Sequence, residues 1–592
     1  MVGRVLELPQ TYNSHAMAVD VAAKYVNWKT QRITKENEIK ELRNFLFATD
    51  TSTTSNKTLP WKNSTTTPKL AQLRDNLHAN YMAALFANPD WLRWEGYSFD
   101  DETTKKKEAV ESYMKNKVRM SDFELTVAKL LYDYIDTGNV FGEVVFVNEE
   151  TKDVETDEVI KGYVGPKLLR NSIHDIVFNP TAPSFKDSPK ITRYVKSLGE
   201  LKEEMVSRPE LKYNADIVAL LEDYRSTMGE FKDSDLDKAE GYIADGFGSL
   251  REYYGSGYVE ILEFEGDLYD ADTGAFHKNH LVTVLDRKWI VRNEANPSWL
   301  GTSNRAHCAW RERSDNLYGM GPLDNLVGMQ YRIDHLENLK ADALDLTIHP
   351  PKVIKGDVDA FEWGPDVEIH IADGDGGIEL LAPNVAAFQV NNEIGYLMQL
   401  MEEMAGAPKQ AMGIRTPGEK TAYEVQTLEN ASGRIFQDKI GKFEKEFLEP
   451  ILNTMLEVAR RNMSGSDLVR VMDDDLGVVD FLEVTKEDIT ANGKLRPLGS
   501  SHFAARAQLV QNMTGVFNSP VGQMIGPHVS TAKLAETVNE LFGWEKYGII
   551  RKNVAIFEQA EQQKLQNASQ EQVDVDSITP TEGEEPVDVP VE

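Results

Sequence analysis

The sequence predicts a multidomain α+β protein, and three observations carry that prediction. Residues 139–310 have the texture of strands, as in FGEVVFVNEE and YVEILEFEGDLYDADTGAFHKNHLVTVLDRKWIVRN. From 322 to 349, and again from 421 to 463, apolar residues recur instead at helical spacing. A chain of 592 residues is also too long for one compact core.

Taken in order, the first 115 residues alternate helical stretches with a Ser/Thr/Asn-rich segment, residues 49–68, which reads as a long loop. SDFELTVAKLLYDYID reads as a helix behind a Ser121-x-x-Glu124 capping box, and TGN as the turn into a strand. Two strand-like runs then flank the turn DADTG, and a charged helical region, residues 198–238, precedes them. Gly321-Pro322 starts a helix marked by Leu326, Met329, Ile333, Leu336, Ala343 and Leu346, and Pro350-Pro351 stops it. A short β-like insert follows, then a second helix over 391–406 and a Pro/Gly-broken stretch. Beyond these, Val425, Leu428, Ile435, Phe443, Phe447, Ile451 and Met455 mark the apolar face of a very long helix. Gly433, Gly441 and Pro450 are its candidate bends. Residues 464–500 return to strand and loop, and 501–560 are helical again. Residues 561–592 carry nine acids against Lys564, the composition of a disordered tail.

Hydrophobic content of 41% and charged content of 27% are those of a globular protein, and no apolar run approaches a membrane span. The start MVGRVLELPQTYNSH has no apolar signal core. A single cysteine, Cys308, rules out an internal disulfide, fits a reducing compartment and reads as a small buried hydrophobe. The net charge of −32 opposes binding nucleic acid with the whole surface, because such affinity comes from cations on phosphates. A sequence-reading regulator is thereby disfavoured. A protein that DNA passes without sticking is not.

Catalytic signals are weak. In GIRTPGEKT, Gly413 and Gly418 have the spacing of a phosphate-binding loop, but Glu419 intervenes before Lys420-Thr421. One inserted residue turns Lys420 by about 100° around a helix starting there, and a helix rather than a strand precedes the motif. The stretch is not a nucleotide site. DADTG (270–274), DGDGG (373–377) and DDD (473–475) resemble pieces of calcium loops, yet none supplies the Glu at loop position twelve, so each reads as a turn. The acids of EILEFEG suit a magnesium-dependent nuclease, but no Glu-x-Lys follows, and a plain hairpin is the simpler reading. His335 and the other histidines lack metal-ligand spacing. No catalytic residue, metal or cofactor is expected. What stands out is a frame of two helices around a β insert, then a loop on which Lys409, Arg415 and Lys420 concentrate positive charge in an acidic chain.

Six segments spread over roughly residues 59–513 share an order with a known family. They are LPWKNSTTTPKLAQLRDNLHANYMAALF, LLYDYIDTGNVFGEVVF, GPKLLRNSIHDIVFNPTA, SDNLYGMGPLDNLVGMQYRIDHLENLKADAL, APKQAMGIRTPGEKTAYEVQTLENASGRI and TKEDITANGKLRPLGSSHFAARAQ. In that order the chain resembles the portal proteins of tailed bacteriophages. The resemblance implies a portal fold with a mixed α/β wing (1–320, returning at 464–500) and stem helices (321–349 and 391–406). It further implies a small β-containing clip (350–390), a tunnel loop (407–420), a long bent helix behind it (421–463), a helical crown (501–560) and the acidic tail (561–592). It implies a non-enzymatic dodecameric ring at the unique capsid vertex of the virion, assembled in the host bacterial cytoplasm, with no membrane involvement. Viral double-stranded DNA would pass through it without sequence readout, contacted by Lys409, Arg415 and Lys420. Lys352, Lys355 and Trp363 would be clip contacts. The terminase large subunit, which would hydrolyse the ATP, the major capsid or scaffolding protein, and head–tail adaptor or tail proteins would be partners. Two alternatives stay open: a packaging ATPase or nuclease using Lys420 or the acid clusters, and a head–tail adaptor ring.

Overall fold

The strand-like texture resolves into two antiparallel sheets. Five strands, Ile176–Phe178, Lys190–Ser197, Tyr258–Tyr269, Phe276–Leu285 and Trp289–Ala295, lie side by side in that order. A second sheet places Asn139–Lys152 between Val159–Asn171 and Arg305–Ala309. This is a computed structural model, and it describes most of residues 15–497. Segments 229–257, 356–376, 381–388 and 407–433, shorter stretches such as 59–61 and 474–477, and everything from 498 onward lie outside the described residues. The expected tunnel loop, crown and tail, and the first part of the long helix, are therefore outside them.

Both faces of the five-stranded sheet are covered, which explains why its central strand is buried almost throughout. Leu262 and Phe264 pack with Val282, Val284 and Ile290 against Met17, Val21 and Tyr25 of the helix His15–Gln31. Val259 and Ile261, the alternate positions, meet Leu201, Ile217 and Leu221 of the helices Leu198–Ser207 and Ala215–Met228. DADTG is a hairpin turn as expected: Asp270 accepts from the Thr273 hydroxyl at 2.6 Å and the Asp272 N–H at 3.1 Å. The run LVTVLDRKWIVRN, read as one strand, is two. Asp286 and Arg287 adopt φ of 45° and 59°, and the Lys288 N–H closes the turn on the Leu285 carbonyl. No glycine advertises this turn, because aspartate tolerates the left-handed region.

The expected capping box at Ser121 does not form. The preceding helix, Asp101–Met120, runs up to this serine, whose N–H and hydroxyl bond back to Lys117 and Val118 carbonyls. The next helix, Phe123–Asp136, begins at Asp122 with a left-handed φ of 52° and no side-chain cap. Ser121 closes one helix instead of opening another.

The largest core joins these two helices, the helix Lys69–Leu85 and the long C-terminal helix. The long helix is described from Arg434 to Asn462, with a π turn at Glu444–Leu448 between Gly441 and Pro450. Pro450 has no N–H, and its ring would crowd the carbonyl four residues earlier; the wider turn relieves that crowding, and the Glu449 N–H reaches Glu444 O. Phe443, Phe447, Ile451 and Met455 are buried as the apolar face predicts, whereas Ile435 is half exposed. Phe447 comes so close to the strand Asn139–Lys152 that a Cβ on Gly142 would stand 2.7 Å from its Cζ. Gly142→Val is therefore expected to cost about 1–3 kcal/mol in urea unfolding, with Phe447→Leu in the same chain recovering part of it.

In the stretch read as strand and loop, residues 466–473 and 478–485 form an antiparallel pair, and Gly493–Pro497 pairs with Leu92–Gly96. Among the described residues no helix is long and apolar enough to cross a membrane.

Candidate functional site

The helices Val327–Ile348 and Val390–Ala405 pack as a hairpin, and between them in sequence lies a two-stranded β ribbon. After a 3-10 turn at Asp324–Leu326, the first helix runs Val327–Ile348 and ends before Pro350-Pro351. The backbone leading into it passes close to another segment: Gly138 has φ of 69°, and a Cβ there would stand 2.2 Å from Gly321 N. The second helix, Val390–Ala405, stops at Gly406, whose left-handed backbone (φ 74°) turns its N–H onto the Glu402 and Glu403 carbonyls. Ile333 and Leu336 of the first helix and Ile394, Met401 and Ala405 of the second enter the main core. Arg332 meets Glu393 at 3.2 Å and Lys340 Nζ donates to Asn391 at 3.1 Å, tying the helices together. At the base, Lys69 Nζ lies 2.6 Å from Glu402 Oε1, with both groups nearly buried.

Away from the core the first helix presents Leu344, Leu346 and Ile348 to solvent. Beyond it, Lys352–Lys355 pairs antiparallel with Gly377–Leu380, aligning Ile354 with Ile378. Lys352 and Lys355 are thus brought onto one exposed strand, where Lys355 Nζ meets Glu379 at 3.0 Å. Strand positions three apart face opposite sides, so the two lysines do not make a common patch. Trp363, Lys409, Arg415 and Lys420 lie outside the described residues.

The carboxylates of EILEFEG are consumed by arginines. Glu260 accepts from Arg193 Nε at 2.6 Å and Arg287 Nε at 2.7 Å. Glu263 and Glu265 share the buried Arg305 guanidinium with Glu143, at 3.0 Å for Glu265 and 3.2 Å for Glu143, and Arg292 also reaches Glu263 at 3.4 Å. Burial alone would raise the Glu143 carboxyl. The charges of Arg305 and Arg208 and hydrogen bonds from Tyr194 and Asn171 outweigh it and hold the group to about 2. Glu260 is likewise held below the usual range, because its arginine partners overcome burial. Such carboxylates are poor proton acceptors near neutrality. Among the described residues no three acids, histidines or cysteines are placed to hold a metal. Nothing in the spacing of EILEFEG announces Arg305, which lies 42 residues from Glu263.

The neighbouring groups have packing environments. His307 stacks on Phe141 at 4.6 Å between ring centroids, and burial lowers it to about 3, so it stays neutral. Cys308 is buried beside Glu446, and burial pushes its thiol well above the usual range. His335 sits half-buried on the first hairpin helix. Compared with known proteins, the chain matches no family model and no curated relative.

Proposed function

We propose that this chain is one subunit of a portal ring, the channel through which a tailed bacteriophage packages and ejects its double-stranded DNA. The observation that carries the reading is the hairpin: two core-anchored helices, an exposed ribbon between them, and a long π-turned helix following in sequence. Leu344 and Ile348 point outward from one side of the helix and Leu346 from another, a surface that suits neighbours on both flanks. A closed ring built head to tail needs two such unlike faces. The hairpin helices carry Glu337, Asp342, Asp345, Glu393 and Glu403 against only Arg332 and Lys340, an acidic excess that favours passage of DNA without adhesion. Lys409, Arg415 and Lys420 on the following loop supply exchangeable phosphate contacts without base readout. The ribbon is the docking end for terminase and later for adaptor or tail proteins, and capsid or scaffolding protein meets the outer body. ATP hydrolysis belongs to the terminase.

Negative-stain electron microscopy of the purified chain tests the reading directly. Rings of about twelve subunits with an open bore are expected. Monomers that stay monomeric with scaffolding protein present, or ATP turnover that disappears in Lys420→Ala, would instead favour the enzyme alternative. In assembled rings, replacing Lys409, Arg415 and Lys420 together by alanine is expected to flatten the salt dependence of DNA binding. The slope of log K against log salt should fall by about 0.9 for each phosphate that is no longer neutralised. An unchanged slope, with packaging and DNA retention also unchanged, rejects these residues as the phosphate-binding groups.

A further inference from the structure

Residues 62–67 run along one flank of the helix Val327–Ile348 and meet it at positions one turn apart. Nearest the core, Asp334 accepts from the Thr67 N–H at 3.2 Å and the Thr66 hydroxyl at 3.1 Å. One turn on, Asn338 and Thr65 exchange two hydrogen bonds, Thr65 N–H to Oδ1 at 2.9 Å and Nδ2 to the Thr65 carbonyl at 2.7 Å. One turn further, Asp342 accepts from the N–H groups of Lys62 and Asn63 at 2.9 and 3.0 Å and from Asn63 Nδ2 at 2.7 Å. Asn63 Nδ2 also reaches Asp345 at 3.0 Å. Positions i, i+4 and i+8 share a helix face, so one extended segment can bond to all three.

How the helix is held changes along its length. Its buried residues, Gln330, Ile333, Asp334, Leu336 and Asn338, all lie at or before its midpoint residue Asn338, and none from 339 to 348 is buried. Among the described residues, the outer half is tied sideways by Asp342 and Asp345 to the strap and by Lys340 to the second helix. Asn338 sits where core support ends. It also bonds its own helix, Nδ2 to the Asp334 carbonyl at 2.8 Å, the kind of back-bond that lets a helix bend. Apolar burial at the inner half is not exchangeable with water. The strap's ties are hydrogen bonds, which water can replace.

We propose that residues 62–67 are a latch that sets the direction of the outer half of this helix, with Asn338 as the hinge. The latch thereby sets how the ribbon Lys352–Lys355 with Gly377–Leu380 is presented to whatever it meets. The proposal concerns a single subunit and stands whether or not the ring reading holds.

Hydrogen exchange by mass spectrometry on the full chain tests it. Asn63→Ala is expected to speed exchange of amides in 339–348 about tenfold while 449–462 stays unchanged. Asp342→Ala is expected to loosen the same segment further, and the double variant to fall short of the sum of the two single effects, because both substitutions remove the Asn63 Nδ2–Asp342 bond while only Asn63→Ala removes the bond to Asp345. Arg332→Ala, on the other flank, is the control and should leave 339–348 as in the wild type. Unchanged exchange in Asn63→Ala, additive effects in the double variant, or equal loosening by Arg332→Ala would overturn the latch. If Asp342→Ala loosens the whole chain, the surface variant Asn63→Ala decides alone.

Discussion

Arg305→Met is expected to cost about 3–5 kcal/mol at pH 7, because it strands carboxylates in the interior. Glu143, Glu263 and Glu265 all meet this one guanidinium, and all four residues are buried. The pH dependence separates this cause from simple loss of packing. In the wild type, Glu143 is depressed to about 2 from an ordinary 4.5. Its stabilisation is fully present above the unfolded value and is lost as pH falls from about 4.5 toward 2. Without Arg305 the first of the charges that offset the burial of Glu143 is gone, so protonating Glu143 relieves the variant as pH falls. The gap between the two proteins in urea unfolding should therefore narrow from pH 7 to pH 4. A gap of constant size would mean that the arginine acts through its volume alone.

Lys69→Met should release the hairpin at its base. The Lys69 ammonium lies between Glu402 Oε1 at 2.6 Å and Gln72 Oε1 at 3.0 Å, and Glu402 is only 6% exposed. Removing the lysine from a buried pair costs about 3–5 kcal/mol if the surroundings stay closed. The helix Val390–Ala405 can escape part of that cost by lifting, so faster hydrogen exchange over 390–405 is expected along with a lower urea midpoint. The double variant Lys69→Met with Glu402→Leu should regain most of the stability, since the buried carboxylate that lost its lysine is then gone as well. If single and double variants unfold alike, the pair does not anchor the hairpin.

How much of this was legible in the sequence follows from how far each signal reaches. The hairpin helices, the break at Pro350-Pro351, the DADTG turn and the buried positions Phe443, Phe447, Ile451 and Met455 are set by residues within a few turns of one another, and periodicity reports them. The Ser121 cap failed because the same Ser-x-x-Glu pattern also fits a helix end, and only the preceding helix decides which. The Asp286-Arg287 turn carried no glycine to mark it. For the candidate site, the sequence offered Lys352 and Lys355 as clip contacts, and their placement on one exposed strand, facing opposite sides, depends on strand register. The Thr/Asn-rich segment 49–68 read as a loop, and its composition did not disclose that residues 62–67 would bind a helix some 270 positions later.

By itself, then, the sequence determined the α+β class, the alternation of helical and strand-rich regions along the described body, and the strong negative charge. These depend on local backbone preference, on period-two or period-3.6 burial, and on composition, all of which are short-range properties of the chain. The tertiary structure alone decided that Glu143, Glu263 and Glu265 converge on Arg305, that Lys69 closes the base of the hairpin, and that Leu92–Gly96 pairs with Gly493–Pro497. A buried charge or an unpaired strand edge demands a partner, but its chemistry does not say where along the chain that partner lies. Only the packing that brings distant segments together supplies that choice.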